Sequence, residues 1–456
     1  MSGERARVAE ELLRRFAAAL RAAQLYSRGH PLIARNIESL DATINLLHAH
    51  AASIVVGIVG DDIIVDDTPV STSAGFGAIV GRLKRVGIER VTFDRGVSGA
   101  ELVEFLYAVS TAEPAIDGSA AALPTLPHIR VGRVTVDQSA DDGKGDINRF
   151  KRLYDEAISV ARTLWESART EAHPDLGLAR RMVDDLAQAM AQNRTALIAL
   201  TTLKNHDDYT FTHMVNVSIL AMGQARALGI DGQLLAEIGL GALMHDIGKV
   251  RTPIEILGKP DKLTDAEFAL MARHTVDGAE MLRTTPDMPT LAPVVALEHH
   301  LRLDGSGYPA GLTRQPLNVA TLLCSIADVY DAMRRQRQYQ KAFPTERILE
   351  VLRRNDGLHF DQHLVRRFVQ LIGIYPPGSL VRLDTGDVGV VVKAYAPDPL
   401  KPRVRVIMDE ALGQLDFPYH VNLWETPATD RQPSAILGPL DAAQLGVDPL
   451  ALMTHP

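Results

Sequence analysis

The chain has one cysteine in 456 residues, Cys324, so no internal disulfide can form and no thiolate cluster is on offer to a metal. Cys324 lies within an apolar helical pattern and reads as a core residue. Long hydrophobic runs are also missing: stretches such as Ser53 to Gly60 are broken by glycine and aspartate, and none reaches the length of a membrane span. An excess of positive charge is lacking too. Lys and Arg number 48 against 56 Asp and Glu, a formal net charge of -8, which argues against binding bulk nucleic acid or an anionic membrane. A small anion held by local cations remains compatible with that balance. From Met1 to Leu25, Arg5, Arg7, Arg14, Arg15 and Arg21 alternate with Glu4, Glu10 and Glu11, the pattern of an amphipathic helix rather than an export signal. The expectation is a cytoplasmic protein.

What is present is ordinary globular composition, 46% hydrophobic and 23% charged, over a length that predicts more than one domain. The N-terminal third reads as a small α+β module. Leu12, Leu13, Phe16, Leu20 and Leu25 trace one helix face, and a second helix runs from Pro31 to His48. Ile54-Val55-Val56 and Ile63-Ile64-Val65 form a hairpin, followed by a helix over Phe76 to Val86, a strand over Arg90 to Phe93 and a helix over Ser98 to Val109. No recurring His/Asp/Glu set appears there, and His30 reads as a turn residue. This module is expected to regulate or dimerise. Ala112 to Pro127 and Gln138 to Asp146 read as connectors around a strand at Ile129 to Val136, and helices over Asn148 to Arg169 and Leu176 to Gln192 lead onward.

The central stretch is helical with short joints and carries the chemistry. His213 and Asn216 share one side of a helix over Thr210 to Leu228. Asp231 to Met244 ends in His245-Asp246, where Gly248 lets the backbone leave the helix and Lys249 is placed to meet an anion. Thr264-Asp265-Ala266-Glu267 is a capping box opening a helix that carries His274. Leu291 to His300 ends in Glu298-His299-His300, adjacent histidines rotated by roughly 100 degrees and able to reach two flanking metals. A glycine-containing loop, Asp304 to Pro309, follows. Asn318 to Arg335 presents Asp328 and Asp331. Singly, each of these residues is ordinary. Together they put one or two His/Asp groups on each of five successive helices, which a bundle core can gather into one site. Imidazoles with carboxylates suit an iron or manganese pair, with zinc also admissible. Two metals roughly 3.5 to 4 Å apart, bridged by a carboxylate and a hydroxide, suit hydrolysis of a phosphate ester.

His245-Asp246 with Lys249, then His299-His300 and Asp304-Gly305-Ser306-Gly307-Tyr308-Pro309, resembles the HD-GYP subfamily of HD-domain phosphohydrolases. Tyr209-Thr210 with His213, Asn216 and Val217 resembles the family's first ligand helix, and Ala327-Asp328-Val329-Tyr330-Asp331-Ala332 its last. The five motifs stand in family order between Asn205 and Ile374. The resemblance implies a bacterial signalling phosphodiesterase that opens cyclic di-GMP to linear pGpG or GMP. It further implies His213, His245, Asp246, His274, His299, His300 and Asp328 as ligands of two divalent metals, iron or manganese, with Asp246 as the bridge. Asp246 and Lys249 would be catalytic. Lys249, Arg302, Asp304, Gly305, Gly307, Tyr308, Pro309 and Arg337 would border the substrate. Tyr209 stands where some relatives offer a glutamate to a third metal, which favours two metals here.

Three departures stand out. Leu301 follows the paired histidines where the family commonly has glutamate, which would weaken histidine orientation. Thr275 replaces a frequent proline, and Gln340 removes a cation that would help hold phosphate, although Arg337 and Tyr339 remain. They keep a second reading open, a catalytically weak nucleotide sensor or interaction scaffold. A third is a phosphodiesterase for cyclic GMP-AMP. Activity on a nucleoside phosphate or alarmone fits less well, since it has no evident need for the Gly-Tyr-Pro loop. Candidate partners beyond the nucleotide are diguanylate cyclase (GGDEF) domains through that loop, and a second copy of the chain.

Beyond Pro376-Pro377-Gly378 the pattern turns to strands, Leu380 to Leu383, Val388 to Ala394 and Val404 to Met408. The tail after Thr426 offers no clear chemistry, and His359, His420 and His455 read as surface or packing residues. The predicted architecture is multidomain: an α+β module (1–137), linker and connecting helices (138–204), an all-α HD-type helical bundle (205–376) and a small C-terminal β appendage (377–456).

Overall fold

A computed structural model describes residues 2–49, 51–59, 62–65, 68–70, 76–112, 124, 126–132, 147–203, 209–259, 261–311, 317–334, 345–353, 358–425, 432–442 and 444–453. The chain divides into two compact units, Met1–Thr135 with Leu228–Leu234, and Val136–Ala227 with Leu235–Pro456. Among the described residues, no helix is long and apolar enough to cross a membrane.

The first unit contains α1 (Ser2–Leu25), α2 (Pro31–His48), β1 (Ser53–Val59), β2 (Asp62–Val65), β3 (Thr68–Val70), α3 (Gly77–Arg85), β4 (Arg90–Asp94), α4 (Gly99–Thr111) and β5 (Ile129–Gly132). Its sheet is antiparallel, in the order β3-β2-β1-β4-β5. Helix faces cover the sheet through Phe16, Phe93 and Phe105, whose rings lie 6.0 to 6.3 Å apart. His30 caps α2 by accepting the Leu32 N–H on Nδ1, consistent with its reading as a turn residue. Ser98 and Glu101 close a capping box at the start of α4.

The second unit opens with α5 (Ile147–Glu171), α6 (Leu176–Gln192) and α7 (Arg194–Leu200). At its centre runs α8 (Tyr209–Ala227), in which every residue from Thr212 to Ala225 is buried. The side that carries His213 and Asn216 is therefore not a solvated polar face. A helix sealed on all sides must satisfy its polar groups internally, so His213 and Asn216 belong to a buried network rather than a solvated stripe. Then come α9 (Gly232–Leu243), a 3-10 turn (Ile247–Arg251), α10 (Ile254–Leu257), α11 (Asp265–Ala272), α12 (His274–Thr284), α13 (Leu291–Glu298), α14 (Val319–Arg334), α15 (Thr345–Arg353) and α16 (Gln362–Ile372).

The helix expected to run from the Thr264 capping box through His274 is two helices. The capping box is present, but the ladder breaks at Arg273. There the His274 imidazole takes the Met271 carbonyl at 2.8 Å and the Thr275 hydroxyl takes that of Ala272 at 3.0 Å, side chains substituting for main-chain donors. His245-Asp246 and His299-His300 likewise stand just past the ends of α9 and α13.

An antiparallel sheet follows, β6 (Leu380–Leu383), β7 (Val388–Lys393), β8 (Arg403–Met408), β9 (Gln414–Asn422) and β10 (Ile436–Pro439), ordered β10-β6-β7-β8-β9, and α17 (Pro449–Met453) closes the described chain. The sequence reading found the inner strands and missed β9 and β10. Both are edge strands containing a proline, Pro418 and Pro439, which a sheet tolerates only where one side needs no ladder partner.

Candidate metal centre

Five segments of the second unit bring their side chains together: α8, the turn after α9, α12, the end of α13 and α14. Two groups form among the described residues, each with ligand atoms within 4.8 Å of one another. One comprises Asp246, His274, His299 and His300, and the other His213, His245 and Asp328. His299 and His300 thus fall in the same group rather than flanking two positions, their rings 4.1 Å apart. Asp246 faces both groups. Its Oδ1 lies 3.2 Å from His274 Nε2 and 3.8 Å from His299 Nε2, and its Oδ2 lies 3.4 Å from His245 Nε2 and 3.8 Å from His213 Nε2.

Histidine orientation has a common device. His245, His274 and His299 each turn Nδ1 to the carbonyl three residues earlier, Ala242 at 2.7 Å, Met271 at 2.8 Å and Ala296 at 3.0 Å. A carbonyl only accepts, so Nδ1 carries the hydrogen and Nε2 keeps its lone pair. His213 is held instead by Asp331, Nδ1 to Oδ2 at 2.8 Å, and its Nε2 lies 3.1 Å from Asp328 Oδ1. The Ser325 hydroxyl donates to the His299 carbonyl at 2.5 Å, and Glu298 accepts from Asn318 and Thr321. None of these bonds uses residue 301. Leu301 is buried and pairs its backbone with Gly307, so the orientation expected from a glutamate there is supplied for these four histidines by backbone carbonyls and Asp331.

The electrostatics follow from burial. Burial pushes the His274 and His299 pKa values below the usual imidazole range and that of His300 down to about 3. All three are neutral at pH 7, with lone pairs available. Burial also opposes charge on His213, but its hydrogen bonds to Asp328 and Asp331 prevail and raise it to about 10. Burial likewise favours the neutral form of Asp246, yet Lys249 and the surrounding imidazoles hold that carboxyl well below its ordinary value. Lys249 Nζ is 2.5 Å from Asp246 Oδ2.

The donor set fits a metal pair. His274 and His299 turn two bare Nε2 atoms toward each other at 3.3 Å, an opposition of lone pairs that a cation relieves. His245 Nε2 and Asp246 Oδ1 are buried with no hydrogen-bond partner. All the donors are nitrogen or oxygen, the mix that suits iron, manganese or zinc.

The Gly-Tyr-Pro loop lies against this centre. Tyr308, joined to Pro309 by a cis peptide bond, places its ring 4.4 Å from that of His300. Gly307 has φ +92, and a Cβ there would collide with the His300 carbonyl, so glycine is required on both counts. Gly305 also has a positive φ, +79, with open space around it. The Asp304 carboxylate accepts the Ser306 N–H at 2.9 Å, shaping the turn, and Arg302 is held by the His299 and Leu301 carbonyls with its guanidinium 4.9 Å over the Phe360 ring. Arg337, Tyr339, Gln340 and the side chain of Tyr209 lie outside the described residues. Sequence reasoning passed over half-exposed Phe268, whose ring lies 5.6 Å from Tyr308, and gave no role to Asp331. The three-residue spacing from Asp328 was the available signal for Asp331; Phe268 has none.

The chain is 37% identical to a cyclic di-GMP phosphodiesterase of Pseudomonas aeruginosa over 287 residues, 63% of this chain and 69% of that protein. It belongs to the HD-GYP family of HD-domain phosphohydrolases. The HD domain profile matches residues 180–364, and a KOW domain associated with HD domains matches 380–429, the region of the C-terminal sheet. Relatives covered less fully include a cyclic di-GMP phosphodiesterase of Thermotoga maritima, 35% identical over 36% of this chain and 45% of that protein. A 3'3'-cGAMP-specific phosphodiesterase of Vibrio cholerae is 32% identical over 35% of this chain and 36% of that protein. The chain therefore spans less than half of these last two relatives.

Proposed function

We propose that this chain hydrolyses the phosphodiester bond of cyclic di-GMP, releasing linear pGpG or GMP. The observation that carries the reading is Asp246, one carboxylate whose two oxygens face two separate donor groups. In this reading His213, His245 and Asp328 would hold one metal and His274, His299 and His300 the other, with the Asp246 carboxylate available to both groups. A bound iron or manganese pair supplies Lewis-acid polarisation of the phosphoryl group and lowers the pKa of water. Lys249, one quarter exposed and anchored on Asp246, offers its ammonium to a phosphate oxygen. The Tyr308 phenol, whose pKa burial pushes up, stays protonated as a donor, and its ring keeps water from the His300 side. The loop from Arg302 to Pro309 borders the substrate, and Arg337 adds a cation. Residues 205–376 carry the reaction in a cytoplasmic setting, with 1–137 regulatory.

A second reading, cyclic GMP-AMP as substrate, is favoured by the likeness to the cGAMP-specific Vibrio protein. Protein reconstituted anaerobically with iron or manganese should convert cyclic di-GMP to linear product with about two metals bound, and a chelator should abolish turnover. Metal without turnover of cyclic di-GMP, but with turnover of cyclic GMP-AMP in parallel, selects the second reading. Metal without either overturns both.

The same assignment predicts proton release. His213 holds its proton up to about pH 10 in the metal-free protein, so occupation of its Nε2 at pH 7 must expel it. Manganese titrated into metal-free protein in weak buffer should release about one proton per chain from this position, read as the buffer dependence of the binding enthalpy. An enthalpy independent of buffer would remove His213 from the ligand set.

A further inference from the structure

Tyr154 sits on α5, ahead of the 180–364 span of the HD domain and outside every motif that carries the family resemblance. It is nevertheless connected to the candidate centre by an unbroken chain of hydrogen bonds. Its hydroxyl donates to Asn216 Oδ1 at 2.7 Å, Asn216 Nδ2 donates to Asp331 Oδ1 at 2.8 Å, and His213 Nδ1 donates to Asp331 Oδ2 at 2.8 Å. Tyr154, Asn216, Asp331 and His213 are 0%, 1%, 0% and 5% exposed, so water does not compete for these bonds.

The direction of the chain is dictated by what each group can give. An ionised carboxylate only accepts, so Asn216 must turn its NH₂ to Asp331 and its carbonyl to Tyr154. The bond from Asn216 Nδ2 to the Thr201 carbonyl, 3.3 Å, requires the same orientation. Flipped, the amide would set its oxygen against the carboxylate and against that carbonyl. The phenol supplies the hydrogen that the Asn216 oxygen accepts and so satisfies and anchors the amide in the orientation that Asp331 and the Thr201 carbonyl require. Asp331, accepting from the amide on Oδ1, is then held with Oδ2 toward His213. That aims His213 Nε2 at Asp328 Oδ1, 3.1 Å away, and at Asp246 Oδ2, 3.8 Å away.

We propose that Tyr154 is a positioning residue for the half of the centre formed by His213, His245 and Asp328, acting through Asn216 and Asp331. The inference rests on the metal centre proposed above. Tyr154→Phe keeps the ring in the core and removes the donor, leaving Asn216 Oδ1 buried without it. Affinity at one of the two metal positions should fall about 10-fold, the lower end for groups that orient ligands, because two residues intervene. Affinity at the position of His274, His299 and His300 should not change.

The experiment is manganese titration of the full metal-free chain, wild type and Tyr154→Phe, followed by electron paramagnetic resonance of free and bound ion. Melting curves of the metal-free proteins control for folding. Tyr154→Phe is also tested in an Asp331→Asn background, where it should cause no further loss. Selective weakening of one position, absent in that background, is the expected result. Equal weakening at both positions, no weakening at either, or a full additional loss in the Asp331→Asn background would overturn the inference while leaving the metal centre standing. A wild-type chain that binds no pair of ions would instead overturn the centre itself, and the inference with it.

Discussion

Asp246→Asn should lower kcat/KM for cyclic di-GMP on the order of 10⁴-fold, about 5.5 kcal/mol of barrier at 1.36 kcal/mol per factor of ten. Its Oδ1 looks to His274 and His299 while Oδ2 looks to His245 and His213, four imidazoles within 3.8 Å, whereas Asp328 reaches only His213 at 3.1 Å and His300 at 3.9 Å. An amide retains the shape but loses the negative charge, and it offers only one oxygen where two are needed. The same substitution removes the negative charge 2.5 Å from Lys249 Nζ, so the cation proposed for phosphate is held less firmly as well. Metal content should fall in parallel with turnover. Elemental analysis and product formation measured on one sample would decide the matter, and an Asp246→Asn chain that keeps two metals and its turnover would sink the bridging assignment.

The other large effect is expected at a glycine with no functional group. Gly248→Ala should destabilise the second unit by about 3 kcal/mol and empty the centre. A Cβ at Gly248 would run into the His274 carbonyl and the Gly278 nitrogen and stand 2.9 Å from Gly278 Cα, all of them backbone. Backbone cannot swing aside as a flexible side chain can, so α12 would have to move, and His274 with it. Gly305→Ala provides the comparison, because its φ of +79 imposes strain while the space around it is open. It should cost about 1 kcal/mol and leave metal content intact. Thermal melts of the two variants, each paired with metal analysis, test this; equal melting temperatures would show that the 3-10 turn and α12 can separate without consequence.

Gly248 also shows where sequence reading meets its limit. A glycine after a His-Asp pair reads as the point where the backbone leaves the helix, yet the φ of Gly248 is not positive and asks for no glycine. What it permits is close passage of the 3-10 turn against α12, with Gly278 as the facing half of the contact. The partner lies thirty residues along the chain, and nothing local announces it. Similarly, Leu301 reads as a lost carboxylate because only the position is visible in sequence. The carbonyls of Ala242, Met271 and Ala296 that orient the histidines belong to no residue type and leave no mark in it.

The order of the sequence alone determined the nature of the donors, all imidazole and carboxylate, and their placement at the ends of successive helices. It also determined the Gly-Tyr-Pro loop and the family, because helix periodicity, caps and consecutive motifs depend on neighbours within a few residues. Tertiary structure alone decided which donors share a group, that Asp246 faces both, and that Tyr154 on α5 reaches His213 through Asn216 and Asp331. These relations join residues as many as 118 positions apart, as His213 and Asp331 are. Such pairs are set by the packing of helices around the buried stretch of α8 from Thr212 to Ala225, where a polar group must find its partner on whichever helix lies beside it.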